Sequence, residues 1–340
     1  MVYGVVFGGR SYEHEISIVS AIALKEKLQD ARFIFIDQER DFYLIDPSDL
    51  KASTFSKGLY KKAPKLELKK GGFFQKGFLK EKRVEFDVAI NLVHGADGED
   101  GKLASLFSFY GIPFIGPRIE GSVVSYNKLF TKLFAKSIGC DVIDYQVISQ
   151  DKIEPIRFEY PIIIKPLRLG SSIGVSVVKS KDELSYALDV AFEFDTEVIV
   201  EPFIEGIKEY NLAGCKASSF IFSKLEEVQK KEFLDFDKKY KDFRQDEVVD
   251  ANLPAGVKER FKETFVKVYD PLFLGSIIRI DFFLHQDTIY INEINPVPGS
   301  LANYLFDDFN GVLDTLAQNL PKEPSIKIDY LYINSISAKK

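Results

Sequence analysis

Two apolar stretches in the last third of the chain contain side chains of the kind that bind metal ions. Residues 278–284 and 289–296 are rich in β-branched and aromatic residues, and the short polar segment between them predicts a hairpin. Such a hairpin would place Asp281 close to Glu293 and Asn295, which share one face because they lie two residues apart. Oxygen ligands without thiolates are typical of Mg²⁺ held against phosphate. The pattern predicts a magnesium site, and the alternative interpretation is a surface hairpin with scattered charges.

Charged residues also end two other apolar runs. Lys165 follows residues 162–164, and a lysine directed inward there needs an anionic partner such as phosphate, unless its ammonium simply extends to the surface. Glu201 ends a similar apolar run. The edge of such a strand could bind adenine through its main-chain groups, while the carboxylate of Glu209 could accept hydrogen bonds from the ribose hydroxyls. For either acid taken alone, an ordinary surface position is the preferred interpretation.

Two glycine-rich segments follow predicted strands. Residues 170–174 (Gly-Ser-Ser-Ile-Gly) offer backbone N–H groups and hydroxyls that can surround a phosphate, although tight glycine turns between strands are equally common and this is no Walker A loop. Glu13 begins the first predicted helix, where an acid either stabilises the helix N-terminus or holds a ligand ammonium. The second segment is residues 94–101 (His-Gly-Ala-Asp-Gly-Glu-Asp-Gly), and the isolated His94 there is interpreted first as a structural hydrogen-bonding residue.

Composition places the chain among ordinary globular proteins. It has 340 residues, 46% of them apolar and 28% charged, which predicts two or three domains. The net charge of −6 argues against a nucleic-acid surface. No apolar run approaches the roughly 18 residues that a membrane span needs, and the first residues lack the charged segment and cleavage site of a signal peptide. Cys140 and Cys215 show no motif spacing, which favours a reduced cytoplasmic compartment.

Strands alternate with helices through the first part of the chain. The strands predicted at residues 2–7 and 86–93, each followed by a helix, indicate a parallel α/β sheet, in which ligands bind beyond the carboxyl ends of the strands. Residues 51–83 are rich in lysine and glycine, lack clear periodicity and are interpreted as a surface excursion. The very polar residues 224–250 are a candidate for a lid that closes over a site.

Motifs along nearly the whole chain, from Gly8 to about Pro321, resemble those of the ATP-grasp ligases, specifically the D-alanine–D-alanine ligase family. Their joint order and spacing carry the resemblance. The motifs are residues 8–17 (GGRSYEHEIS), His94-Gly95 with Glu99-Asp100-Gly101, 115–117 (IGP), Asn127-Lys128, 164–166 (IKP), 170–175 (GSSIGV), 279–281 (RID) and 292–299 (NEINPVPG). The resemblance implies an α/β protein (α+β overall) with an ATP-grasp fold and an N-terminal parallel α/β domain. The implied domains are residues 1–117, 118–200 and 201–340.

The resemblance also implies a role for each matching residue. Eight positions would contact ATP: Lys128, Lys165, Ser172, Glu201, Phe203, Ile204, Glu209 and Lys239. Three would bind two Mg²⁺ ions, which Mn²⁺ can replace, with Glu293 bridging: Asp281, Glu293 and Asn295. Glu13 would hold the ammonium of the first D-alanine and, with Ser171 and Tyr240, would fasten a mobile loop over the site. Arg279 and the backbone N–H of Gly299 would stabilise the oxyanion.

The chain departs from the family pattern where the carboxylate of the second substrate should bind. The family places a Ser-Leu pair after the Pro-Gly turn, and this chain has Tyr304-Leu305 there. Tyr304 is therefore expected to bind that carboxylate, with Ser300 as the alternative and His94 as a further substrate-binding candidate. Residues 201–209 are also one residue longer than the usual segment, which leaves the match of Glu209 open.

The function implied by the resemblance is ATP-dependent ligation of two D-alanines through an acyl phosphate, for peptidoglycan precursor synthesis. The expected protein is a cytoplasmic homodimer that binds neither nucleic acid nor membrane. Two alternatives stay open: another ATP-grasp ligase, such as a D-alanine–D-lactate ligase or a glutathione-synthetase-like peptide ligase, and a non-catalytic nucleotide-binding module. Lys239-Tyr240 favours the dipeptide enzyme, and the intact set of Asp281, Glu293 and Asn295 argues against a pure binding module.

Overall fold

The computed structural model describes residues 1–77, 80–228, 248–322 and 324–337. Its strands are β1 (Tyr3–Gly8), β2 (Ala31–Ile36), β3 (Phe42–Ile45), β4 (Lys65–Lys69), β5 (Gly72–Gln75), β6 (Lys82–Arg83), β7 (Val88–Asn91), β8 (Phe114–Ile115), β9 (Gln146–Ser149), β10 (Ile162–Pro166), β11 (Ser176–Val178), β12 (Glu197–Pro202), β13 (Lys208–Lys216), β14 (Phe220–Glu227), β15 (Ile278–His285) and β16 (Thr288–Asn295). Its α-helices are α1 (His14–Lys25), α2 (Ala52–Ser56), α3 (Lys102–Phe109), α4 (Ile119–Tyr126), α5 (Lys128–Ser137), α6 (Leu184–Phe192), α7 (Ala255–Leu272), α8 (Phe309–Gln318) and α9 (Leu331–Ser337). Short 3₁₀ segments lie at Pro47–Asp49, Leu59–Lys62, Lys181–Glu183 and Gly299–Leu305.

The first sheet has the order β6-β5-β4-β3-β2-β1-β7-β8, and β1 is buried along its whole length. β2 and β7 flank β1 in parallel, and β8 pairs in parallel with β7. The predicted parallel α/β arrangement is therefore confirmed for this half of the sheet. Because parallel strands end at the same edge, the loops that follow β1 and β7 meet there, and they carry Glu13 and His94.

The interpretation of residues 51–83 as a surface excursion is wrong. This stretch forms α2 and the strands β4, β5 and β6, which extend the sheet from β3 in antiparallel order. Leu66 and Phe73 are buried and share a core cluster with Phe86. The alternation of inward apolar and outward charged residues on β4 covers only five residues, which is too short to be recognised as a strand by its period.

Two four-stranded antiparallel sheets follow along the chain. The second sheet has the order β11-β10-β12-β9, and α6 buries Ala187, Leu188 and Ala191 against it. The third has the order β14-β13-β15-β16 and packs on α7, where the ring of Phe261 contacts Tyr210 and Phe282. The charged residues near the ends of β10 and β12 and near the start of β15 therefore lie on strands whose adjacent residues are buried.

One hydrophobic core joins the first and third sheets. Val5 and Phe7 of β1 belong to the same buried cluster as Ile280 of β15, and the Tyr3 hydroxyl donates a hydrogen bond to Asp314 of α8 at 2.5 Å. This shared core fixes the carboxyl edge of the first sheet relative to the β15–β16 hairpin. Within the described ranges, no helix is both long enough and apolar enough to cross a membrane.

Candidate active site

The predicted hairpin is formed by β15 and β16, and its register brings the predicted metal ligands together. Asp281 lies opposite Glu293, and Arg279 lies opposite Asn295, with a bulge directly after Asp281. Arg279 Nε and Nη2 donate to the two carboxylate oxygens of Asp281 at 2.7 and 2.9 Å. The proximity predicted from the sequence is confirmed, and the surface-hairpin alternative is wrong because Asp281 is buried.

The side chains of this hairpin suit a hard divalent cation. The carboxylates of Asp281 and Glu293 and the amide of Asn295 offer oxygen ligands. The Nδ2 atom of Asn295 is buried and has no hydrogen-bond partner among the described residues, so that atom does not tie the amide to another protein group. Across the part of the chain that the structure describes, no three His, Cys, Asp or Glu side chains form a metal-binding group. A metal here would therefore need the amide, phosphate or water besides the two carboxylates.

A buried carboxylate links two lysines at the end of β12. Glu201 is 3% exposed, so its interpretation as a surface residue is wrong. Lys165 Nζ on β10 donates to Glu201 Oε2 at 2.6 Å, and Lys132 Nζ on α5 lies 2.5 Å from Oε1. Although burial opposes ionisation, Lys165 and then Lys132 lower the pKa of Glu201 to about 2. Lys165 Nζ also lies 3.4 Å from Asn292 Oδ1 on β16, which connects this cluster to the hairpin.

Glu13 lies immediately before α1, in agreement with its predicted position at the start of the first helix. Its carboxylate does not cap that helix, because Ser171 Oγ in the loop after β10 donates to Glu13 Oε1. Two glycines leave room for it: a Cβ at Gly95 would lie 2.7 Å from Glu13 Oε2, and a Cβ at Gly170 would lie 3.0 Å from Oε1. Glu13 therefore joins the loops that follow β1, β7 and β10.

A chain of buried polar groups runs from the loop after β7 to the segment after the hairpin. His94 Nε2 lies 3.0 Å from Ser20 Oγ, which accepts a hydrogen bond from the backbone N–H of Ser300 at 3.0 Å. The other ring nitrogen of His94 lies 3.8 Å from Glu99 Oε1. Burial lowers the pKa of His94 to about 4, so the ring is neutral at pH 7. This agrees with the interpretation of His94 as a structural hydrogen-bonding residue.

Three carboxylates act on one another across the space between these loops and the hairpin. Burial, and then the charge of Glu99, raise the pKa of Glu13 to about 7. Burial, and then the charge of Glu293, raise the pKa of Glu99 to about 8. A cation bound near these acids and the hairpin, such as an ammonium group or a divalent ion, would favour their ionised forms.

Glu99→Gln should stabilise the protein at alkaline pH when metal and nucleotide are absent. The folded-state pKa of Glu99 lies above that of an unfolded chain, so its contribution to stability is complete below about pH 4 and is lost as the pH rises through about 8. Glutamine keeps the shape without the charge. The free energy of unfolding of the variant should exceed that of the wild type by on the order of 4 kcal/mol at about pH 9. Denaturant unfolding across this pH range measures the difference, and equal stability at both ends would contradict the burial of an ionised Glu99.

The two candidates for the second substrate's carboxylate lie in the 3₁₀ segment Gly299–Leu305. Ser300 is buried, has a left-handed backbone (φ 49°), and its Oγ lacks a hydrogen-bond partner within the described ranges. Tyr304 is 41% exposed, and its hydroxyl accepts a hydrogen bond from Arg279 Nη1 at 3.4 Å. A Cβ on Gly299 would meet open space, so its backbone is approachable. Tyr304 thus lies beside the Arg279–Asp281 pair, whereas Ser300 lies beneath it on the His94 side.

The loop after β10 brings Lys128 close to the glycine-rich turn. Lys128 begins α5, and its Nζ donates to the carbonyl of Leu169, directly before Gly170. Ser171 and Ser172 both adopt left-handed backbone conformations, with φ of 57° and 60°. These conformations are strained for residues with a side chain, which is frequent where a loop is shaped for a ligand.

The remaining nucleotide candidates lie at the end of β12 and on β13. The backbone N–H of Phe203 donates to the carbonyl of Pro161 at 3.0 Å, and Ile204 follows it. Glu209 lies on β13. Burial opposes the charged form of Lys165, but the charges of Glu201, Glu293 and Glu209, in that order, raise its pKa. Lys239 and Tyr240 lie outside the described residues.

Sequence reasoning did not include Lys132 or Glu99 among the site residues. Lys132 lies one helical turn after Lys128 on α5, and two lysines at this spacing share a helix face. This spacing could have indicated Lys132, because a lysine on the same helix face as a ligand-binding lysine must either pair with an acid or be exposed to solvent. Glu99 lies five residues after His94 in the same loop, and the density of acids around Gly98 was the signal there.

The chain is similar to known proteins over its full length. A family model described as D-ala D-ala ligase N-terminus matches residues 2–117, and one described as D-ala D-ala ligase C-terminus matches residues 134–308. The D-alanine–D-alanine ligases of a Nitratiruptor species and of Wolinella succinogenes are 64% and 57% identical to it, over 100% of this chain and 100% and 99% of theirs.

Solved structures agree with this similarity. The crystal structure of D-alanine–D-alanine ligase from Helicobacter pylori matches with a TM-score of 0.86 at 51% identity, and the match covers 95% of this chain and 100% of that chain. The VanG D-Ala:D-Ser ligase from Enterococcus faecalis matches with a TM-score of 0.74 at 26% identity, over 93% of this chain and 98% of that chain. The chain therefore has the ATP-grasp fold and belongs to the D-alanine–D-alanine ligase family.

Proposed function

We propose that the chain joins two molecules of D-alanine, at the expense of ATP, in the space between Glu13 and the β15–β16 hairpin. The product, D-alanyl-D-alanine, serves peptidoglycan precursor synthesis. The observation that carries the choice of this site is the position of β10 and the loop after it: Ser171 in that loop donates to Glu13, and Lys165 on β10 lies 3.4 Å from Asn292 of the hairpin. These contacts bring an ammonium-binding acid and a metal-type hairpin to one space. Lys165 and Arg279 border the same space, where the anionic groups of ATP and the acyl phosphate would lie.

The reaction needs activation because a carboxylate is a poor electrophile. A carboxylate oxygen of the first D-alanine attacks the γ-phosphorus of ATP, the bond from that phosphorus to the bridging oxygen breaks, and ADP leaves. The amino nitrogen of the second D-alanine then attacks the acyl carbon, phosphate leaves with the electrons of the carbon–oxygen bond, and the nitrogen loses a proton. Both steps depend on positioning and on neutralisation of charge.

The chain's own groups hold the reacting atoms. Glu13 is ionised when it binds the ammonium of the first D-alanine, and Ser171 holds its carboxylate in place. Arg279, oriented by its two hydrogen bonds to Asp281, and the backbone N–H of Gly299 stabilise the oxyanion. Tyr240, assigned from its motif, would fasten the polar segment after β14 over the site and exclude water from the acyl phosphate. Of the predicted lid at residues 224–250, residues 224–227 belong to β14, and residues 229–247 lie outside the described residues.

The hairpin and the second sheet supply the ATP and metal contacts. Asp281, Glu293 and Asn295 would hold two Mg²⁺ ions, or Mn²⁺ in their place, with Glu293 as the ligand that the two ions share. Bound Mg²⁺ neutralises the phosphate charge that builds up during transfer. The ATP contacts come from eight residues: Lys128, Lys165, Ser172, Glu201, Phe203, Ile204, Glu209 and Lys239.

Tyr304→Phe should raise the KM for the second D-alanine about tenfold and leave the KM for the first D-alanine and for ATP nearly unchanged. The reason is that only the second carboxylate loses a hydroxyl donor beside Arg279. Initial rates over a wide range of D-alanine concentration, fitted with one KM for each site, measure the two KM values. Ser300→Ala is the matched control, and the assignment of Tyr304 fails if this control shows the selective effect instead. His94, which is linked to Ser300 through Ser20, would then belong to that subsite.

We also propose three domains, at residues 1–117, 118–200 and 201–340, and a homodimer that works in the cytoplasm. The domain division is supported by three sheets that occupy successive stretches of the chain. Sedimentation equilibrium tests the dimer against a monomer of 38.6 kDa. A mass that stays at the monomer value across micromolar concentrations would count against the dimer.

The function is tested by phosphate release from Mg-ATP with D-alanine, L-alanine, D-serine or D-lactate supplied singly and in pairs, with the products identified by mass spectrometry. D-Alanine alone should release phosphate and yield the dipeptide. Faster turnover of a D-alanine–D-lactate or D-alanine–D-serine pair would assign the chain to a different specificity within the family. Absence of phosphate release from every combination would contradict ligase activity.

A further inference from the structure

Lys132 takes no part in the mechanism given above, yet its side chain is only 3% exposed. Its Nζ lies 2.5 Å from Glu201 Oε1, donates to the carbonyl of Ile143 at 3.1 Å, and lies 5.4 Å from the centre of the Tyr145 ring. A buried ammonium group is costly unless it is fully paired, and these contacts pair it. Lys132 is therefore fixed in position by β12 and by the segment that connects α5 to β9.

The two carboxylate oxygens of Glu201 contact different lysines, and the side chains of these lysines differ in how freely they can move. Oε1 faces Lys132, and Oε2 faces Lys165 at 2.6 Å. The side chain of Lys165 is 13% exposed, and its hydrogen bond to Asn292 Oδ1 is long at 3.4 Å. Of the two lysines, Lys165 is thus the one that can turn toward a ligand in the space beside the hairpin.

We propose that Lys132 is a positioning residue that keeps Glu201 paired when Lys165 turns to a phosphate of ATP. This inference rests on the proposed function, because it takes Lys165 as an ATP contact. Removing one partner of a buried ion pair leaves an uncompensated charge, which is strongly unfavourable. With Lys132 present, Glu201 keeps one cation after Lys165 has moved. Without Lys132, Glu201 and the nucleotide compete for the same ammonium group.

Lys132→Met should therefore weaken the binding of Mg-ATP by about tenfold or more, while the KM for each D-alanine stays within about twofold of the wild type. Calorimetric titration with Mg-ATP in the absence of D-alanine measures the Kd, and initial rates measure the two KM values. Lys136→Met is the matched control: Lys136 is exposed on the same helix and lies 4.9 Å from the centre of the same Tyr145 ring. This control should bind Mg-ATP as the wild type does.

The decisive comparison is made in the Glu201→Gln background. A neutral glutamine does not hold Lys165 by charge, so adding Lys132→Met to Glu201→Gln should change the Kd for Mg-ATP by less than about twofold. If Lys132→Met alone does not fold, this pair still tests the proposal, because neither variant contains the Glu201 carboxylate. An unchanged Kd in the single variant, or an equal loss of ATP affinity with and without the Glu201 carboxylate, would overturn the role of Lys132. Loss of ligation by the wild-type chain would instead contradict the proposed function, so the two failures are distinguishable.

Discussion

Glu293→Gln should abolish ligation and leave the fold intact. Glu293 lies opposite Asp281 on the hairpin and is the residue proposed to bridge two ions, so neutralising it weakens both metal sites at once. Metal ions contribute several kcal/mol of charge stabilisation to such transfers, which corresponds to a fall in kcat of about 10³-fold or more. Glutamine has the same shape as glutamate, so the circular dichroism spectrum should not change. Phosphate release at saturating ATP and D-alanine measures the loss.

The same variant should also relieve the repulsion at Glu99, because the charge of Glu293 contributes to the raised pKa of Glu99. The midpoint of thermal unfolding without metal should therefore be equal to or higher than that of the wild type. Glu259→Gln is a suitable control, since Glu259 is exposed on α7 and lies 3.9 Å from Lys262. Near wild-type turnover of Glu293→Gln at any Mg²⁺ concentration would refute the metal assignment.

Arg279→Lys should lower kcat by about 10²- to 10³-fold, the usual cost of removing one oxyanion donor. The guanidinium of Arg279 donates to both carboxylate oxygens of Asp281 and reaches the Tyr304 hydroxyl. A lysine keeps the charge, but it cannot make these contacts simultaneously, since it lacks the planar fork of donors. Asp281 would keep a cation nearby, so the loss of stability should be small compared with the loss of turnover. Single-turnover measurements separate the chemical steps from product release.

Arg260→Lys is the matched control for this prediction. Arg260 also makes two hydrogen bonds to an aspartate, with its Nη1 at 2.8 Å from Asp287 Oδ1 and its Nη2 on the Asp287 carbonyl, but it lies on the surface. The control should lose neither turnover nor more than a few tenths of a kcal/mol of stability. A similar loss of turnover in both variants would show that Arg279 acts through general stability and does not stabilise the oxyanion.

The hairpin could be predicted from the sequence because its signal is local. Strand period, a polar turn and a two-residue spacing are enough to place Glu293 and Asn295 on one face and Asp281 opposite. The same local reasoning failed at residues 51–83, where β4 and β5 have only five and four residues, too few for the alternation to be recognised. At the start of α1, local reasoning placed Glu13 correctly but left open whether it caps the helix, because its partner Ser171 lies 158 residues further along the chain.

The partners of Glu201 could not be predicted, because they come from separate elements. Lys132 lies on α5, Lys165 on β10 and Glu201 on β12, and only the packing of α5 against the second sheet brings the three together. An apolar run that ends in an acid is compatible with a surface position and with a buried ion pair. The tertiary arrangement decides between them, since a buried acid such as Glu201 stays ionised where cations are supplied.

The central claim is that the carboxylate of the first D-alanine is phosphorylated before the peptide bond forms. D-Alanine labelled with ¹⁸O in its carboxylate tests this directly, with mass spectrometry of the phosphate released in ordinary water. Because the attacking carboxylate oxygen stays bound to phosphorus when the acyl phosphate breaks, each phosphate should carry one labelled oxygen from D-alanine. Released phosphate without label would show that ATP is cleaved by water and not by the substrate, and would contradict the account.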